Sequence, residues 1–159
     1  MTIRTLLDRA FDGDFADEDW DHALGGVHAT AWEDGELVGH GSVVQRRMLY
    51  GDRALRAGYV EAVAVRSDRR RRGVAGGVMA ELERVIRGAY DLGVLSSSED
   101  GMPFYAGRGW QLWQGESAAL TPDGTTLTPD DDGSIFVLPV VELDLARRLT
   151  GDWRDGDVW

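Results

Sequence analysis

VRSDRRRRGVAGGVMAELERVI, Val65 to Ile86, is the stretch whose reading decides the fold. Arg69, Arg70, Arg71 and Arg72 stand side by side in a chain whose formal net charge is −11. A β-branched run precedes them and ends at Val65. After Gly73 the apolar residues Val74, Val78, Leu82, Val85, Ile86 and Ala89 recur at helical spacing. The pattern is strand, basic turn, helix. Free N–H groups and the positive end of the helix dipole gather at a helix start, and anions bind there, phosphates above all. Glycine and alanine admit close approach, and arginine supplies forked donors to phosphate oxygens. RRRRGVA thus reads as a diphosphate cradle. It is neither GxxxxGK[ST] nor GxGxxG. An arginine run alone would read as a solvated face or a nucleic-acid patch; its place between strand and helix favours phosphate.

Outward from this turn, Arg53 to Val65 reads as a long strand, preceded by a YGDR turn and a second long strand, Leu37 to Tyr50. An Asp-Gly turn in EDGE separates that strand from another, Val27 to Trp32. Ile3 to Phe11 and DEDWDHAL read as short helices. Downstream of the helix at Gly73 to Tyr90 come a short strand at Val94 to Ser97 and a small helix around Pro103 to Ala106. That helix leads to Trp110 to Trp113, and strands at Glu116 to Leu120 and Ile135 to Pro139 come last. A Gly- and Asp-rich loop joins the last two. This order predicts an α/β (α+β) chain: a mixed, mostly antiparallel sheet flanked by helices, in one domain over 1–159.

Composition narrows the chemistry. Hydrophobic residues make up 43% and charged residues 28% of the 159, as in globular chains. No apolar run approaches the ~20 residues of a membrane span, and the N-terminus has no signal-peptide pattern. With no cysteine, disulfides, thiolate metal sites and a cysteine nucleophile are excluded. His22, His28 and His40 are the only histidines and HExxH is missing, so no metal is expected. The acidic balance disfavours nucleic acid and suits either simple solubility or a polycationic ligand. A cytoplasmic location fits.

Arg70-Arg71-Arg72-Gly73-Val74-Ala75 resembles the [QR]-x-x-G-x-[GA] signature of the GNAT acetyltransferases, and YVEAVAV resembles their splayed central strand. More of the chain is similar to one branch, the actinobacterial-type aminoglycoside 2′-N-acetyltransferases. DWDHALGGVHA, GYVEAVAVRSD, RGAYDLGVLSSS, FYAGRGW, TPDDDG, FVLP and DWRDGDVW carry that likeness. The resemblance implies the GNAT fold, acetyl-CoA, a cationic aminoglycoside acceptor and a homodimer. The chain opens almost directly on its first helix, so the family's first strand is expected to be missing.

For the cofactor, the resemblance implies phosphate contacts at Arg70, Arg71, Arg72, Gly73, Val74 and Ala75. Backbone contacts at Val63, Ala64 and Val65 go with them, the Val63 N–H facing the acetyl oxygen. For the acceptor it implies Asp14, Asp19, Glu61, Ala62, Ser96, Asp130, Asp131, Asp157 and Trp159, the last through its terminal carboxylate. An aminoglycoside carries several ammonium groups, and one amine must shed a proton before it attacks a thioester. Glu61 would accept that proton and Tyr105 would protonate the departing thiolate. An ion pair of Glu61 with Arg56, and a purely packed Tyr105, are the competing readings. Trp153 and Trp159 make the tail unusually apolar, and their burial would pin it down. Other outcomes remain: an acetyltransferase for another amino sugar or small amine, a non-catalytic CoA-binding protein, or a nucleic-acid binder.

Overall fold

Two left-handed residues, Asp34 (φ +50°) and Gly35 (φ +77°), turn the chain between β1 (Val27–Glu33) and β2 (Glu36–Tyr50). Such a turn matches the twist of an antiparallel hairpin. The computed structural model describes all residues, 1–159. β1 pairs with β2 from Val27↔Val43 to Glu33↔Glu36, with an irregularity at Ala31/Trp32. β3 (Arg53–Val65) follows after Gly51, which also has a positive φ, +63°.

The chain forms two compact units. The first comprises Met1–Val44 and Val60–Gly88. Here α1 (Ile3–Ala10) starts at Thr2, whose hydroxyl accepts the Thr5 N–H, and it buries Leu6 and Leu7. α2 (Asp17–Leu24) has acids in its first turn, the end where the dipole favours them. Arg4 joins the two helices: it donates to Asp8 (2.7 Å), Asp17 (2.8 Å) and the Phe15 carbonyl (3.2 Å). Leu7, Phe15 and Ala64 form a buried cluster, with Ile3, Ala10, Trp20 and Ala62 packed on it. α3 (Val74–Ala89) buries Val78, Met79, Leu82 and Ile86. Gly39 and Gly41 let it lie close. A Cβ at Gly39 would come 2.6 Å from Val74 Cγ1, and one at Gly41 would come 2.9 Å from Val78 Cγ1. Side chains alternate along a strand, so His40 and Ser42 point to the opposite face.

The second unit comprises Gln45–Tyr59 and Ala89–Trp159. β4 (Leu92–Ser96) lies parallel to β3, from Ala57↔Leu92 to Tyr59↔Val94. The chain then adds α4 (Met102–Gly107), β5 (Gln111–Leu112), β6 (Ser117–Thr121), β7 (Gly124–Leu127), β8 (Ile135–Pro139) and β9 (Leu149–Asp152). The strand order is β5-β8-β4-β3-β2-β9-β6-β7, with β1 off this path on β2. β3–β4 and β6–β9 pair in parallel. The mixed, mostly antiparallel sheet flanked by helices therefore matches the expectation from sequence, and β1 has a partner on one side only.

Three details differ. β4 begins at Leu92 and contains Gly93, which opposes Gly58 on β3 and Leu138 on β8. The Gly- and Asp-rich loop holds β7, whose four residues are all exposed and whose register is set by β6. β9 was not foreseen either: LTGD has one large apolar residue, and its extended form comes from pairing with β2 on one side and β6 on the other.

Candidate active site

In the first unit, β3 breaks its pleat at Ala62, whose φ is +53°. A left-handed alanine inside a strand is costly, about 1–2 kcal/mol, and marks a bulge that re-aims its neighbours. Side chains of β2 take up the carbonyls there. His40 Nδ1 lies 2.9 Å from the Ala62 oxygen, and Ser42 Oγ lies 3.5 Å from the Glu61 oxygen. Glu61 and Val63 flank the reversal and are both half-buried. Burial holds the His40 ring below its usual titration range, with the Ala62 hydrogen bond opposing and His28 adding to the shift.

The basic turn divides its labour. Arg69 is structural: it pairs with Glu33 (2.7 Å) and Asp68 (2.7 Å). Arg66 pairs with Glu36 and Asp68, both at 2.6 Å. Arg70 reaches the Ala10 carbonyl at 3.2 Å, where a guanidinium suits the end of α1. Arg71 and Arg72 are exposed and paired to no carboxylate. Arg71 (φ +60°) and Gly73 (φ +82°) are both left-handed and fold the loop onto the α3 start. A Cβ on Gly73 would meet nothing within 4 Å, so the approach is open. The helical ladder begins with Gly77 N–H to Gly73 O at 3.0 Å, which leaves the N–H groups of Val74, Ala75 and Gly76 without intrahelical acceptors.

Of the first unit's candidate acids, Asp14 is exposed. One oxygen of Asp19 is already used, accepting the Ala16 N–H at 3.0 Å to close the start of α2.

In the second unit, Tyr105 on α4 sits among aromatic rings: Phe104 at 5.1 Å, Trp110 at 6.3 Å and Phe136 at 6.5 Å between centroids. Burial pushes its phenol above the ordinary range, so it keeps its proton. Ser96 Oγ ends β4, 3.2 Å from Ser134 Oγ. Asp130 and Asp131 lie in a short 3-10 turn, Pro129–Asp131. Burial raises the Asp131 carboxyl, and the charges of Asp157, Asp130 and Asp132 raise it further. Asp132 is occupied: its Oδ1 accepts the Ser117 N–H at 2.8 Å.

The tail is pinned by groups that sequence reasoning missed. Arg46 is 4% exposed; it donates to Asp152 Oδ1 (2.7 Å), Asp152 O (2.9 Å) and Val158 O (2.6 Å). The Trp159 indole is buried and donates to Thr128 Oγ1 at 2.9 Å. Trp153, expected to be buried, is 48% exposed, so one tryptophan anchors the end and not two. Thr128 begins the acid turn, so the last residue is tied to it. His40, Ser42, Arg46 and Thr128 are all polar residues whose partners lie far off in sequence. Only the histidine between two glycines, GHGS, offered a local hint.

A strand reversal followed by a glycine turn and a helix start is the arrangement expected of an acyl-CoA-type transferase. Comparison with known proteins agrees. Residues 3–113 match the acetyltransferase (GNAT) domain family. Over 98% of this chain and 83% of its relative, the sequence is 55% identical to an aminoglycoside 2′-N-acetyltransferase from Mycolicibacterium fortuitum. A GNAT family N-acetyltransferase from Escherichia coli, solved in complex with CoA, shares the fold at a TM-score of 0.68 and 17% identity, covering 94% of this chain and 82% of that one. Eis1 from Mycobacterium abscessus matches at a TM-score of 0.59 and 23% identity over 73% of this chain, which spans 29% of the Eis1 length. The chain belongs to the GNAT acetyltransferases, in the aminoglycoside 2′-N-acetyltransferase branch that the Mycolicibacterium relative represents. Its cofactor is acetyl-CoA. The residues present fit that group: Arg71 and Arg72, an open glycine and helix-start N–H groups without intrahelical acceptors suit a pyrophosphate, and a broken strand offers backbone groups to a pantetheine arm.

Proposed function

We propose that this chain acetylates the 2′-amine of an aminoglycoside and thereby confers resistance to such antibiotics. The 55% identity to the Mycolicibacterium enzyme supports the acceptor class. The observation that carries the chemistry is the reversal at Ala62 (φ +53°), with Glu61 before it and Val63 after.

When bound, acetyl-CoA supplies an activated acetyl thioester. Arg70, Arg71, Arg72 and the backbone of Gly73, Val74 and Ala75 hold its phosphates. Val63, Ala64 and Val65 offer backbone groups to pantetheine. The Val63 N–H donates to the acetyl oxygen as charge builds on it. Glu61 accepts the proton of the attacking amine, directly or through a water, and Tyr105 gives its proton to the leaving thiolate. Asp14, Asp19, Ala62, Ser96, Asp130, Asp131, Asp157 and the Trp159 carboxylate bind the acceptor. No covalent enzyme intermediate enters. The whole of 1–159 acts as one catalytic domain, as a cytoplasmic homodimer; chain length supports the single domain, the cysteine-free composition fits the location, and the family resemblance supports the dimer, which sedimentation checks.

The test is acetyl-CoA-dependent thiol release with two kanamycins. Kanamycin B has a 2′-amine, kanamycin A a hydroxyl there. Turnover of B alone is expected. Equal turnover moves the reaction to another amine, and CoA binding without turnover of either redirects it to a different amino sugar.

A further inference from the structure

One buried polar chain takes no part in the steps above. His28 Nδ1 lies 2.9 Å from His40 Nε2, and His40 Nδ1 lies 2.9 Å from the Ala62 carbonyl oxygen. His40 has no exposed surface (0%). The strand register explains the meeting: His28 stands opposite Ser42 and His40 opposite Thr30, so the two rings are diagonal neighbours on one sheet face. A carbonyl oxygen only accepts, so His40 Nδ1 carries the proton. The neutral ring then presents a lone pair at Nε2, and His28 Nδ1 must bring the proton to that contact. The carbonyl favours the Nδ1–H form of His40, and a proton from His28 at Nε2 opposes the other form, so two contacts together hold one tautomer.

The acceptor gives this chain its meaning. The Ala62 carbonyl and the Val63 N–H belong to one peptide unit, which is planar and trans, so the two bonds point in opposite directions from one rigid plate. A ring that fixes the carbonyl fixes the direction of the N–H. Hydrogen bonding to the oxygen also polarises the unit and strengthens its donor. Ala62 has a φ of +53°, a conformation that persists only where the surroundings hold it. The contact from β2 is made by a side chain because the bulge has moved this carbonyl out of an ordinary ladder.

We propose that His40 is a positioning residue for acetyl transfer, acting through the Ala62–Val63 peptide on the group that meets the acetyl oxygen, with His28 locking its tautomer. This rests on the reading of the Val63 N–H as the oxyanion donor.

The experiment compares the wild type, His40→Leu, His40→Asn and His28→Phe. The asparagine amide nitrogen stands close to the place of imidazole Nδ1 and keeps the donor; leucine fills the volume without it. In the ligand-free protein, imidazole nitrogen and Val63 amide resonances are read by NMR. An Nδ1–H tautomer is expected for His40, and the Val63 amide signal moves in His40→Leu and far less in His40→Asn. In turnover with kanamycin B, His40→Leu loses about 10- to 100-fold in kcat with both KM values unchanged, as for a lost oxyanion contact, and His40→Asn recovers most of it. His28→Phe mixes the His40 tautomers and lowers kcat in part. An Nε2–H tautomer in the wild type overturns the proposal, as does a folded His40→Leu with wild-type kcat. If His40→Leu does not fold, His40→Asn and His28→Phe decide: an unchanged His40 tautomer and unchanged kcat in His28→Phe remove the lock, and a Val63 signal and kcat in His40→Asn as depressed as an unpaired site would give remove the positioning role. A wild type that does not turn over kanamycin B overturns the acceptor reading instead, and the NMR readings still decide the coupling of His40 to Val63.

Discussion

Glu61 is one residue from the left-handed Ala62 on β3, and in the proposed reaction its carboxylate would accept the amine proton. Glu61→Gln keeps the shape and loses the base. It should lower kcat by about 100-fold or more while leaving the acetyl-CoA dissociation constant intact, which calorimetry measures beside the kinetics. Tyr105 differs in that burial holds its proton on. An alkaline limb caused by its ionisation should therefore lie above the ordinary phenol value of about 10, and Tyr105→Phe should lower kcat by about 10- to 100-fold across the profile. An unchanged Tyr105→Phe enzyme would leave the tyrosine as packing only. Asp131 carries the opposite sign to a paired carboxylate. Its pKa is raised by burial first and by Asp157, Asp130 and Asp132 next. The fold therefore binds that proton more tightly than the open chain, so stability is complete below the ordinary aspartate range and falls as pH rises through the raised value. Asp131→Asn should raise Tm at neutral pH, with the gain vanishing below about pH 4, and should raise KM for the aminoglycoside.

At the scale of elements, the tail shows what a strand and a single arginine can organise. Arg46 on β2 donates to Val158 O and to Asp152, and its guanidinium lies 4.6 Å from the Tyr59 ring centroid. Arg154 packs on the same ring at 5.1 Å and donates to the Asp157 carbonyl at 2.7 Å. With the Trp159 indole on Thr128, the last residues are held where the acid turn begins. A chain extended past Trp159 keeps the indole but loses the free carboxylate at that place. It should raise KM for the aminoglycoside sharply with Tm nearly unchanged; unchanged kinetics would remove the carboxylate from the acceptor site. The tail was half legible. Two tryptophans near a terminus signalled anchoring, but which one is buried depends on partners at positions 128 and 151 that no local pattern joins. β2, β3 and α3 were legible almost to their ends, because alternation and a 3.6-residue period act within the segment. β7 and β9 were not, because four exposed residues and LTGD become strands only through their neighbours. The bulge was readable through family likeness alone; Ala62 is an ordinary strand residue by type, and the β2 side chains that meet the carbonyls around it are distant in sequence.

For the whole molecule, the two ligands carry opposite charge. The basic turn leaves Arg71 and Arg72 exposed and paired to no carboxylate, where the proposed reaction puts the cofactor phosphates, while the chain as a whole has a formal net charge of −11. That field draws a polycation and repels an anion, so the turn must gather its phosphates by short-range donors against the long-range potential. Screening separates the two terms. The Debye length falls from about 10 Å at 0.1 M salt to about 3 Å at 1 M. KM for a multiply charged aminoglycoside should rise steeply over that range, since both steering and carboxylate contacts weaken. KM for acetyl-CoA should rise less, because salt weakens its arginine contacts and at the same time screens the repulsion from the acidic surface. kcat should change little, as Glu61 and Tyr105, the groups proposed to react, are half-buried. Steady-state kinetics with kanamycin B at a series of potassium chloride concentrations measures all three. An acceptor KM that ignores salt would mean that the acidic surface serves solubility alone and that the antibiotic is held by neutral hydrogen bonds.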